Sequence, residues 1–214
     1  MTEARRRRAV LLLLLVGALG FAAVGCASDY RYVNNSQEKA FFRLPADVEV
    51  FRVRTEEPTD RPVPLDLSPT EPWVVVFDAA EEPSVDHAGL AAPTDPVGRA
   101  VIFAVGFETG EQLSVKAARS QLAGGEDPLD LANSGDGGIE IVSFESISEG
   151  PLIGSRVVYS VQVDETTWAT RDQTSLIDIA GQKVYFFEVK CESSCFKANR
   201  DQISQIVNSW QVRK

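Results

Sequence analysis

Residues 183–212 read KVYFFEVKCESSCFKANRDQISQIVNSWQV, and two periodicities meet inside this stretch. Lys183 to Val189 is an apolar run of strand length, and alternation places Tyr185, Phe187, Val189 and Cys191 on one face. Beyond the cysteines the period changes. Ile203, Ile206, Val207 and Trp210 recur at three and four residues, the stripe of a helix that Asn199 and Gln202 can cap. A buried strand that hands the chain to an amphipathic helix implies a helix lying back on its own sheet.

Working backward, Thr174–Ala180 and Lys183–Val189 pair as a hairpin around Gly181-Gln182. Ile139–Ile147 and Arg156–Val163 are further strands, the second with Val157, Tyr159, Val161 and Val163 on one face. Arg99–Phe107 (RAVIFAVGF) is a strand leading into a capping-box-like Thr109-Gly-Glu-Gln112. The helix that follows runs through Leu113, Ala117, Ala118 and Leu122 and stops at Gly124-Gly125. Ala40–Pro45, Val48–Val53 and Trp73–Phe77 complete the strands, while residues 55–72, rich in proline and acid, and 79–98 read as loop. Consecutive strands on short turns pair antiparallel, so the fold class is α+β, mainly an antiparallel sheet flanked by helices.

The other end of the chain sets the compartment. Arg5–Arg8 form a basic n-region and Ala9–Val24 an apolar run ending in small residues, the layout of a secretory signal. The run is short for the roughly 20 residues of a spanning helix. Ala23-Val24-Gly25-Cys26 resembles the lipobox of bacterial lipoproteins, with Ala23 where that family usually has leucine. The resemblance implies cleavage after residue 25 and a lipid on Cys26, which anchors the chain to the extracytoplasmic face of the cell membrane. Residues 26–37 then form a polar tether, and residues 38–214 a single domain with a proline-rich insert at about 55–98.

With Cys26 assigned to the lipid, Cys191 and Cys195 are left as an even pair in an oxidising compartment. Zinc would need four ligands, and His87 is the only histidine. Redox motifs of the thioredoxin kind place two residues between their cysteines, not three. The reading is a disulfide that fixes a strand end to a helix start.

Net charge is −10, and loss of residues 1–25, which carry Arg5–Arg8 and Glu3, takes it to −13. Such a charge opposes nucleic acid as a partner and favours, at most, basic ones. No nucleophile elbow occurs, and a serine–histidine triad could use only His87, which sits in the loop-like SVDHAGL. Asp127, Asp130, Asn133 and Asp136 are spaced by three, unlike the alternating ligands of a calcium loop. No metal and no cofactor is expected. Of the three tryptophans, Trp73 and Trp210 lie in apolar patterns and read as core. Trp168, in the polar DETTWATRD, is the aromatic to test for a binding role, with core or edge packing as the favoured reading.

YRYVNNSQEKAFFRLP at the start, RAVIFAVGF in the middle and KVYFFEVKCESSCFKANRDQISQIVNSWQV at the end together resemble the PsbP-like fold. Lipoproteins of the actinobacterial LpqN/LpqT type join such a domain to a lipobox, and this chain is similar to that group. The resemblance implies an α/β/α sandwich and no catalytic residues. The function expected is a non-catalytic binding or accessory module of the cell envelope, whose ligand is a protein, peptide or lipid. The alternative is an envelope hydrolase with an unrecognised acidic site, which requires a deep pocket gathering acids of perturbed pKa.

Overall fold

The computed structural model describes residues 29–53, 72–105, 114–123, 126–135, 138–180 and 182–213. Two compact units divide the chain, Met1–Tyr30 and Arg31–Lys214, and nearly all described residues belong to the second. Its strands in chain order are β1 (Tyr30–Asn35), β2 (Ala40–Pro45), β3 (Glu49–Val53), β4 (Trp73–Asp78), β5 (Val97–Ala104), β6 (Ile139–Glu149), β7 (Leu152–Gln162), β8 (Trp168–Asp178), β9 (Lys183–Glu192) and β10 (Gln211–Val212). The helices are α1 (Val115–Ala123), α2 (Pro128–Asn133), α3 (Ser193–Ala198) and α4 (Arg200–Asn208), with a short 3-10 turn at Val85–Gly89. Seven strands form one antiparallel sheet in the order β3-β4-β5-β9-β8-β7-β6, and β1-β2-β10 form a small second sheet. The α+β class expected from the periodicities is the architecture observed.

Strand β9 sits at the centre, and its two faces do different things. One presents Tyr185, Phe187, Val189 and Cys191 to β2 and to the stripe of α4. There Phe187 lies 5.0 Å from Phe42, 5.7 Å from Phe77 and 5.1 Å from Trp210, centroid to centroid, and is wholly buried. Gly98 of β5 passes directly beneath Phe77: a Cβ would run into that ring and the Glu188 carbonyl oxygen, so the close pairing of β5 with β9 requires glycine.

The opposite face is split. Val184 and Phe186 pack with Val101, Phe103, Ile177 and the α1 residue Ala118. Glu188 and Lys190 continue the same row as buried charges. Arg99 donates to Glu188 Oε2 from Nε at 3.2 Å and Nη2 at 3.0 Å, and Arg171 Nη1 lies 3.5 Å from Oε1. Lys190 Nζ donates to the carbonyls of Ala88 and Leu90 at 2.8 and 2.7 Å, which ties the loop of residues 79–96 to the sheet.

Cys191 and Cys195 are disulfide-bonded, their Cα atoms 6.0 Å apart. The bond joins β9 to α3, a short helix not expected ahead of α4. Replacing both cysteines by serine is expected to lower stability by no more than about 2–3 kcal/mol, because so short a loop constrains the unfolded chain little. Chemical denaturation of the double variant measures this, and mass spectrometry of the unreduced protein shows the bond directly. Two free thiols would remove its basis.

The structure corrects four expectations. The tether of residues 26–37 is not a tether throughout, since Tyr30–Asn35 form β1 beside β2. β8 begins at Trp168 rather than Thr174, because its polar residues find cross-strand partners: Ser160–Thr170 at 2.9 Å, Arg156–Asp172 at 2.6 and 2.8 Å, Tyr159–Gln173 at 3.3 Å. Val163 falls outside β7 and is exposed. Asn199 stands at the N-cap of α4 but makes no side-chain cap there; its Nδ2 turns back to donate to the Cys195 carbonyl at 3.0 Å, closing α3. Cys26, residues 55–71, the Thr109–Gln112 box and Gly124-Gly125 lie outside the described residues.

Candidate binding groove

Two open grooves flank the small sheet. The larger, about 630 Å³, is lined by the β1–β2 turn, Trp73 of β4 and Lys183 of β9. Two of its charges satisfy each other: Lys183 Nζ donates to both Glu38 oxygens, at 2.6 and 2.8 Å, and Tyr185 donates to the same carboxylate at 3.3 Å, while Arg52 also lines the groove.

The second groove, about 460 Å³, runs between strands β6–β8 and the end of α4 with β10. Its lining combines Ile147, Leu176, Val207, Trp210 and Val212 with Glu145 and Glu149. Register explains the composition. Glu145, Ile147 and Glu149 alternate along β6 and so share a face, opposite Arg156, Gly154 and Leu152 of β7. Arg156 forms one wall. It donates to Asp172 from Nε and Nη2 at 2.8 and 2.6 Å and to Asn208 Oδ1 from Nη1 at 2.7 Å, strapping α4 to the sheet. The hydrogen bond to Asp172 drives the guanidinium still further toward its charged form.

Glu145 faces Arg156 across the ladder and adds to the field that keeps that guanidinium charged, whereas Glu149 makes no ion pair among the described residues. Trp210 also lines the groove, but it is only 8 % exposed and its indole Nε1 is buried in the core without an acceptor.

The residues singled out in the sequence are distributed as follows. Trp210 is core as expected, and also lines the groove. Trp73 packs against the core and lines the larger groove. Trp168 stands half-buried at the start of β8, opposite Gln162, and lines neither. His87 Nδ1 pairs with the buried Asp78 at 2.7 Å. The same carboxylate accepts the backbone N–H groups of Ala80 and Ser84, at 3.0 and 2.9 Å, and so organises that loop. Asp127 caps α2 and holds Arg119, while Asp130 pairs with Lys116. No group of three His, Cys, Asp or Glu among the described residues could hold a metal ion.

Among the described residues two carboxylates are displaced from their ordinary range, Glu188 and Asp164, and both are pushed down. An acidic hydrolase needs a general acid pushed up. Neither of these groups supports that alternative.

No family model and no curated protein matches the sequence. Solved structures do resemble the chain. CyanoP, the cyanobacterial PsbP of Synechocystis, matches with a TM-score of 0.50 at 13% identity, over 89% of this chain and 96% of its own. LpqN of Mycobacterium tuberculosis, involved in cell envelope biogenesis, gives 0.42 at 12% identity over 78% of this chain and 92% of its own. A Ran-binding protein of Saccharomyces cerevisiae gives 0.43 at 9% identity over 86% and 95%. At these identities the likeness to CyanoP speaks for the fold alone: the chain has the PsbP-like α+β architecture.

Proposed function

We propose that this chain is a lipid-anchored, extracytoplasmic binding module of the cell envelope. It holds a protein or peptide partner in the groove between β6–β8 and the α4–β10 segment. The observation that carries the reading is the lining of this groove, an apolar floor of Ile147, Leu176, Val207 and Trp210 rimmed by the exposed Glu145 and Glu149. A concave apolar floor with an exposed charged rim is what a binding site offers.

The anchor follows from the basic, apolar and small-residue order ahead of Cys26. Metabolic labelling with a fatty-acid analogue is expected to tag the wild-type chain and not Cys26→Ser. Equal labelling of both would sink the anchor. The groove is tested separately. A photo-cross-linking residue replacing Gln211, exposed on the groove rim, should capture a partner in intact membranes. The same residue replacing Asp201, exposed on α4 but outside the groove lining, should not. Adducts from both positions alike, or from neither, would remove the groove from the account.

A further inference from the structure

Among the described residues β6 ends the order of the large sheet, so no strand pairs with its outer edge; α2 packs against it, and it is 11 residues long. Exposed edges of that length are ordinarily blunted by lysine, proline, shortness or a bulge. β6 has neither lysine nor proline. It does have a bulge between Ile141 and Ser143, which turns Val142 outward at 63 % exposure. From Ser143 to Glu149 the register with β7 is unbroken. This straight half presents Phe144 on one face, 49 % exposed, and Glu145, Ile147 and Glu149 on the groove face.

The charges of the strand decide what can pair with it. Glu140, Glu145 and Glu149 are exposed, and the segment contains no lysine or arginine. A second copy of the strand would set carboxylates against carboxylates, and like charges facing each other across a ladder destabilise it. A basic strand reverses the sign at every such pair.

Resting on the binding-module reading, we infer that β6 is an augmentation edge, which takes an extended basic segment of a partner protein as an additional antiparallel strand. The register from Glu149 to Phe144 sets the order of side chains on that segment. It is basic opposite Glu149, apolar opposite Ile147 where it meets the groove floor, basic again opposite Glu145, and apolar or aromatic opposite Phe144. Backbone hydrogen bonds to the edge give affinity, and the alternate side chains give selectivity. Directly opposed residues have Cβ atoms about 4.5–5.5 Å apart, within reach of a lysine ammonium for a glutamate.

The probe is a fluorescein-labelled peptide with the core Lys-Thr-Leu-Thr-Lys-Phe, titrated against the full chain in detergent and read by anisotropy. Saturable binding is expected. It should weaken at least tenfold when both peptide lysines are changed to glutamate, and at least tenfold for the Glu145→Lys/Glu149→Lys protein. Both protein positions are exposed, so the variant is expected to keep its circular dichroism spectrum. Methylating alternate peptide nitrogens on the edge-facing side should also abolish binding, since it removes the ladder donors and leaves the charge intact. Binding that survives methylation is surface electrostatics and overturns the proposal, as does unaltered affinity for the charge-reversed protein or no binding of the parent peptide. If the peptide fails while cross-links at position 211 persist, the edge is refuted and the groove stands.

Discussion

Phe187→Ala is expected to cost about 4 kcal/mol of stability, within the 3–5 kcal/mol found when large buried aromatics are truncated. The residue is wholly buried on the central strand and touches three rings from three other segments: Phe42 of β2, Phe77 of β4 and Trp210 after α4. Those rings come from both sheets and from the end of the last helix, so no single segment can shift to fill the hole. Because total stability of a domain is commonly about 5–15 kcal/mol, the loss takes a large fraction of it. Denaturant unfolding followed by circular dichroism measures the change. Phe144→Ala provides the contrast, since that ring is half exposed on the edge strand and its loss should cost no more than about 1 kcal/mol. Similar costs for the two substitutions would mean that the aromatic cluster is not the centre of the core.

The same cluster shows how much of this fold the sequence carries. Both periodicities of residues 183–212 survive in the structure as β9 and α4, because each is set by neighbours along the chain. Trp168–Gln173 did not read as strand, because its residues are polar. They are paid for by hydrogen bonds to β7 and by Thr170 bonding Ser193 at 2.8 Å, contacts that no local pattern announces. β1 was hidden likewise, since YRYVNN offers a single buried residue, Val33, to the core.

The groove was less legible still. Glu145 and Glu149 alternate with Ile147 as in any half-solvated strand, and Trp210 belongs to an ordinary helical stripe. Only when α4 and β10 land across β6–β8 do these residues meet. Arg156, reaching Asp172 on the next strand and Asn208 on α4, fixes where that landing occurs. Trp168 drew notice for its polar company, yet much of that company pairs across to β7 and α3, though the Nε of Arg171 stays buried without a partner.

Glu188→Gln is expected to destabilise the protein by about 3 kcal/mol at pH 7, the lower end of the loss when one member of a buried ion pair is removed. Its carboxylate is 1 % exposed and faces Arg99 and Arg171, with Lys190 two residues along the same strand face. Burial alone pushes the Glu188 carboxyl up, but Arg99, Arg171 and Lys190 outweigh it and hold the group below the usual carboxylate range. Glutamine keeps the shape and removes the charge, leaving the cations to repel one another in a poorly solvated place. Arg99 is about a third exposed, and water there screens part of the loss. The pH dependence has a definite sign. In the unfolded chain the carboxylate takes up its proton near the ordinary value of about 4.3, while the folded protein still holds it ionised. The wild-type advantage over the variant is therefore complete above that value and fades as pH falls through the depressed folded pKa. Lys190 supplies an independent readout. Burial already pushes it down to about 8, and Glu188 is the neighbour that raises it. In the variant the Lys190 ammonium should titrate lower still, measurable by NMR of its Nζ. A variant as stable as wild type, with Lys190 titrating unchanged, would show that the three cations do not depend on this carboxylate.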